Sequence, residues 1–97
     1  MTNLAEKLKQ HREDILAIAA HYGVQNVRIF GSVARGNSHD KSDIDFLVSL
    51  DAQHTLFDLG GFLQEVQDLL GANVDVVTES GLNPQFKDRI IHEAKAL

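Results

Sequence analysis

Leu4, Leu8, Ile15, Ile18 and Tyr22 recur at helical steps, with His11 on the same stripe and Glu6, Lys7, Lys9, Arg12 and Glu13 on the other side. This period predicts an amphipathic helix over about 4–21, opened by Asn3 in the N-cap place with Glu6 three residues on, and stopped at Gly23. The pattern then shortens. Val24 to Phe30 reads as a strand, with Val27 and Ile29 separated by Arg28, and it ends in Gly31 and Ser32, residues suited to a tight turn and an N-cap. A short helix is expected from about Val33 to Gly36, followed by a polar loop over 37–42. From Asp43 to Leu50 the chain alternates, Asp43 and Asp45 pointing one way and Ile44, Phe46 and Val48 the other.

Leu56, Leu59, Leu63, Val66 and Leu70 predict a second long helix ended by Gly71. Gly60 and Gly61 inside it cost about 1 kcal/mol each in propensity, so its early turns are insecure or pressed closely against something. Asn73 to Thr78 reads as a strand and 79–83 as a loop. Asn83 and Pro84 suit the N-cap and first position of a last helix carrying Phe86, Ile90, Ile91, Ala94 and Leu97. The order helix, strand, short helix, strand, helix, strand, helix predicts one α/β (α+β) domain over 1–97, a small mixed, twisted sheet flanked by helices.

Composition narrows the function classes. With 43% hydrophobic residues a core is feasible, but a chain of 97 residues buries only about 60% of its unfolded surface, so an oligomer or partner could supply further burial. The net charge is -5 and the nine Lys and Arg are scattered, which disfavours general DNA binding. Cysteine is absent, excluding disulfides and thiolate zinc sites. No leader and no apolar run near the roughly 20 residues of a membrane span is evident, so a cytoplasmic protein without membrane attachment is expected.

The chemistry concentrates between residues 31 and 46. Gly31 lets the chain turn and brings backbone amides close to a ligand, and Ser32 adds a hydroxyl at the start of a helix, a plausible phosphate cradle. Asp43 and Asp45, two apart on a strand, present carboxylates on one face, about 7 Å apart along the chain. Two divalent cations could bridge such carboxylates and clamp both oxygens of a phosphoryl displacement. Hard oxygen ligands favour Mg2+, with Mn2+ as its substitute. Asp75 interrupts the apolar strand Val74-Asp75-Val76-Val77. If that strand lies beside Asp43 to Leu50, Asp75 joins the pair as a third ligand and could orient an attacking hydroxyl. Taken singly, each signal has a duller reading: a turn, a solvated strand face, a sheet edge.

Gly31-Ser32, ten intervening residues and Asp43-Ile44-Asp45 resemble the pattern of the minimal nucleotidyltransferases of the DNA-polymerase-beta-like superfamily, and Gly31-Ser32-Val33-Ala34-Arg35-Gly36 is similar to the form typical of that branch. The resemblance continues through Val74 to Thr78 and from Leu82 to Ile90. It implies a nucleotidyltransferase fold in which Gly31 and Ser32 hold the triphosphate of ATP, Asp43 and Asp45 bind metal, and Asp75 completes the site. Arg35 would help with phosphate or acceptor, a surface salt bridge being the alternative. The resemblance further implies an antitoxin that adds AMP to a tyrosine of a cognate all-helical HEPN-type toxin. Other readings are a stoichiometric antitoxin that acts by binding alone, and transfer to RNA or a small molecule.

Several residues invite less. His11 reads as a core-edge or interface residue, His54 as a cap of the helix after Asp51, and His21 and His92 as surface residues. His39 and Lys41 have only a loop position near the site to recommend them. Phe57, Phe62 and Phe86 belong to no aromatic and basic pattern and are expected to pack helices.

Overall fold

The protein's structure, a computed structural model, describes residues 4–36 and 43–97; the expected 37–42 loop, with His39 and Lys41, and the Asn3 cap lie outside them. Helices α1 (Leu4–Gln10) and α2 (Arg12–His21) precede strand β1 (Val24–Phe30) and the short helix α3 (Gly31–Arg35). Strand β2 (Ile44–Leu50), helix α4 (Leu56–Leu70) and strand β3 (Val74–Thr78) follow. A 3-10 turn (Glu79–Gly81), helix α5 (Pro84–Glu93) and strand β4 (Lys95–Ala96) complete the order.

The sheet is mixed and runs β3-β2-β1-β4. β2 and β3 are parallel, joined by α4 as a crossover, and β1 is antiparallel to both β2 and β4. One face carries the main core: Leu4 and Leu8 of α1, Ile15 and Ala19 of α2, and Phe62, Val66 and Leu70 of α4 pack on Val27, Ile44, Phe46, Val48 and Val74. The rings of Phe46 and Phe62 meet edge to face at 5.9 Å, a pairing worth about 0.5–1.5 kcal/mol beyond burial. By alternation the other face carries Phe30, Asp45 and Asp75 in one row and Arg28, Leu47 and Val77 in the next.

A bulge in β1 keeps this alternation in step. The register against β2 shifts between Gln25 and Arg28, and Asn26 there takes a φ of 52°. One extra residue is absorbed, so that both Val24 and Val27 are buried.

Four expectations need correction. The first helix is divided at His11, whose ψ of 12° departs from helical values, although His11 N–H still donates to the Lys7 carbonyl and Ile15 N–H to that of His11. The short third helix begins at Gly31, not near Val33, with Phe30 in the N-cap place. The cap of α4 is Thr55 and not His54: Thr55 Oγ1 accepts from Phe57 N–H while Asp58 accepts from Thr55 N–H. The last helix ends at Glu93, where Ala94 turns extended and Lys95 and Ala96 pair with Ile29 and Arg28. The free edge of β1 offers backbone partners that a continued helix would forgo, and Leu97 N–H extends the pairing to the Val27 carbonyl at 3.2 Å. Among the described residues no helix is long and apolar enough to cross a membrane.

Candidate active site

Gly31 stands at the junction of β1 and α3 with φ +75°, a left-handed conformation that side chains rarely adopt. A Cβ at this position would collide with Oδ2 of Asp45, the register partner of Phe30. The turn can therefore lie directly against the carboxylate only because residue 31 has no side chain. No side chain caps the first turn of α3, so its leading N–H groups are left to other acceptors. Ser32, half-buried, follows within that turn.

Asp45 and Asp75 are register partners on adjacent parallel strands, which sets both on the same face about 4.8 Å apart between backbones. Asp45 is half-buried, whereas Asp75, on the edge strand, is exposed. Asp43 is exposed and sits immediately before β2. Burial raises the pKa of Asp45 above the usual 3.8, and the negative charges of Asp75 and Asp43 raise it further. Arg35 opposes this, while Glu93 adds to it. Asp45 is thus the focus of a negative field created by Asp43 just before β2, Asp75 on β3 and Glu93 on α5.

Among the described residues no three His, Asp or Glu side chains are gathered closely enough to form a ready-made metal cluster. The donor set still suits a divalent cation in kind. The donors on offer are hard carboxylate oxygens, those of Asp45 and Asp75 on paired strands, and their mutual repulsion is what a cation would relieve.

Arg35, at the end of α3, forms an ion pair with Glu93 Oε1 at 2.5 Å. The salt-bridge alternative for this arginine is therefore realised, although its effect on Asp45 shows that its charge also reaches the site. Sequence reading missed Glu93, since 58 positions separate it from Arg35 and only the return of α5 joins them. The expectation that Phe57, Phe62 and Phe86 all pack helices holds for one of them. Phe62 is fully buried as expected, but Phe86 is 47% exposed and Phe57 is 91% exposed, so neither is packed as a core residue. His11 is partly buried beside Asp14. His54 packs over Gly23, where a Cβ would collide with its ring.

The sequence matches the nucleotidyltransferase domain family over residues 4–97. A proposed protein adenylyltransferase of Methanocaldococcus jannaschii is 38% identical over 87 residues, covering 90% of this chain and 94% of that protein. A solved structure described as a proposed minimal nucleotidyltransferase superposes with a TM-score of 0.87 at 40% identity, over 96% of this chain and 95% of the other. A crystal structure of a toxin-antitoxin with AMP-PNP gives a TM-score of 0.67 at 22% identity, over 87% of this chain and 69% of that one, a likeness of fold.

Proposed function

The chain belongs to the nucleotidyltransferase domain family, in its minimal branch, and from that premise we propose that it is an antitoxin moving AMP from ATP onto a tyrosine of a helical partner toxin. The observation that carries the reading is the contact of the Gly31 turn with Asp45, itself in register with Asp75. This juxtaposes a site for polyphosphate oxygens with a site for cationic charge.

In this mechanism the amides at the start of α3 and the Ser32 hydroxyl hold the triphosphate, and Arg35, paired with Glu93 through Nη1, turns its remaining N–H groups to the outer oxygens. Asp43, Asp45 and Asp75 would hold Mg2+ or Mn2+, which supplies charge neutralisation for the phosphorus centre and for the leaving group. The acceptor hydroxyl attacks the α-phosphorus, its proton passing towards Asp75, and the bond to the bridging oxygen of pyrophosphate breaks. The protein's contribution is alignment of the two oxygens and a field already arranged for the transition state. The protein acceptor is supported by the name of the Methanocaldococcus jannaschii relative, and the toxin partner by the shared fold of the toxin-antitoxin structure.

The test is transfer of label from α-labelled ATP to a small all-helical protein encoded in a neighbouring gene, the toxin this reading expects, with the adduct located by mass spectrometry. Mg2+-dependent AMP on a tyrosine, lost in Asp43→Ala and Asp45→Ala, is expected. Inhibition of the toxin that persists in both variants without any adduct would overturn the reading in favour of binding alone.

A further inference from the structure

Beside the Gly31 turn lies a pocket of about 260 Å³ that shares Gly31 and Arg35 with the phosphate chemistry and is otherwise unused by it, walled by Phe30 on β1 and by Phe86, Arg89, Ile90 and Glu93 on α5. It lies on the acidic side of the sheet, because its Phe30 is the register partner of Asp45. Its volume falls just below the roughly 300 Å³ at which sites for drug-sized ligands begin, which suits a planar ring system better than a whole nucleotide.

Helix α5 forms the outer wall. Phe86, Arg89, Ile90 and Glu93 follow the i, i+3, i+4, i+7 spacing of a single helix face. Phe86 begins that face about 10 Å along the axis from Glu93, at 1.5 Å per residue. Glu93 adjoins the site through its bond to Arg35, so the wall runs from the Asp45 end outwards to a half-exposed aromatic ring. A triphosphate anchored at Gly31 has its nucleoside end within reach of this wall. The ring of Phe86 offers a π face there and the guanidinium of Arg89 a second one.

We propose that this pocket receives the nucleobase of the bound triphosphate and that Phe86 supplies its stacking surface. The inference rests on the transferase reading and adds to it a determinant of nucleotide affinity. Stacking recognises any base by its face, so Phe86 governs nucleoside against bare polyphosphate rather than one base against another.

Binding can be measured apart from transfer. In equilibrium dialysis with Mg2+, Phe86→Ala should bind ATP at least about fivefold more weakly than the wild type, while inorganic tripolyphosphate binds both alike. Because the chain contains no tryptophan, Phe86→Trp supplies a unique indole, excited apart from Tyr22, that keeps an aromatic ring. Its emission should change on addition of ATP and stay constant with tripolyphosphate. Unaltered ATP affinity in Phe86→Ala, with KM raised only for the acceptor protein, would assign the pocket to the acceptor side chain and overturn the inference alone. Failure of the wild type to bind ATP would overturn the transferase reading together with it.

Discussion

At the scale of single residues, Asp45 is where competing demands meet. Burial and two neighbouring carboxylates favour its protonated form, opposed by Arg35. The folded protein therefore holds the proton more tightly than the unfolded chain, and stability falls as pH rises from the ordinary 3.8 through the raised value. Asp45→Asn cannot ionise and should lack this slope. Urea denaturation in chelator should show the variant gaining on the wild type as pH climbs through that window, while its nucleotidyl transfer drops by about 100-fold or more. A difference in stability that is flat with pH would count against the field described here. Gly31→Ala addresses the other side of the same contact. Left-handed backbone strain of about 1–3 kcal/mol, together with displacement of the Asp45 carboxylate, should lower the urea midpoint and weaken nucleotide binding in parallel. Part of this was legible in the sequence: Gly31 marked a tight turn and Asp45 and Asp75 were expected to come together if their strands were neighbours, as the register now places them. The contact between Gly31 and Asp45 was not, because it depends on antiparallel pairing across the intervening chain.

At the scale of elements, the adjacent glycines of α4 have opposite environments. A Cβ at Gly60 meets nothing within 4 Å, whereas one at Gly61 would lie 2.5 Å from Cε1 of Tyr22. The expectation that these turns press against something thus holds for Gly61, where the Tyr22 ring crosses the helix and its hydroxyl donates to Glu65. Gly60→Ala should stabilise the protein by about 0.5–1 kcal/mol through helix propensity. Gly61→Ala should destabilise it despite the same gain, because the ring must shift. Thermal melts of the two single variants would check the opposite signs. Thr55→Ala, which removes the side-chain cap of α4, should cost about 1 kcal/mol in the same melts. Strand and helix periods made most elements readable, including the start of α5 at Asn83 and Pro84. The end of α5 was unreadable: Ile90, Ile91, Ala94 and Leu97 keep a helical period, yet the unpaired edge of β1 draws residues 95–96 into a strand. Local pattern carries no information about which edge a segment will meet.

At the scale of the whole molecule, the covered sheet face holds the apolar core, while the opposite face carries the acidic row and the wall made by α5. Most of the core lies on the first face, although Leu47 is also fully buried on the second, and the like charges on the second oppose folding until something neutralises them. Ligand binding should therefore be visible in global unfolding. A ligand at 100 times its Kd adds about 2.7 kcal/mol to the folded state, and each kcal/mol moves Tm by roughly 4–8 °C in a domain of this size. Saturating Mg2+ and ATP should raise Tm by about 10 °C or more, without any acceptor present. The rise should be lost when chelator removes the metal. Asp45→Asn should reduce it strongly, since the variant lacks one of the carboxylates assigned to the cation. Phe86→Ala should retain the response to tripolyphosphate and lose part of the response to ATP, because the two ligands share the phosphate turn and differ in the ring placed along α5. A Tm that responds equally to Mg2+ with ATP in the wild type and in Asp45→Asn would place nucleotide binding away from the acidic row.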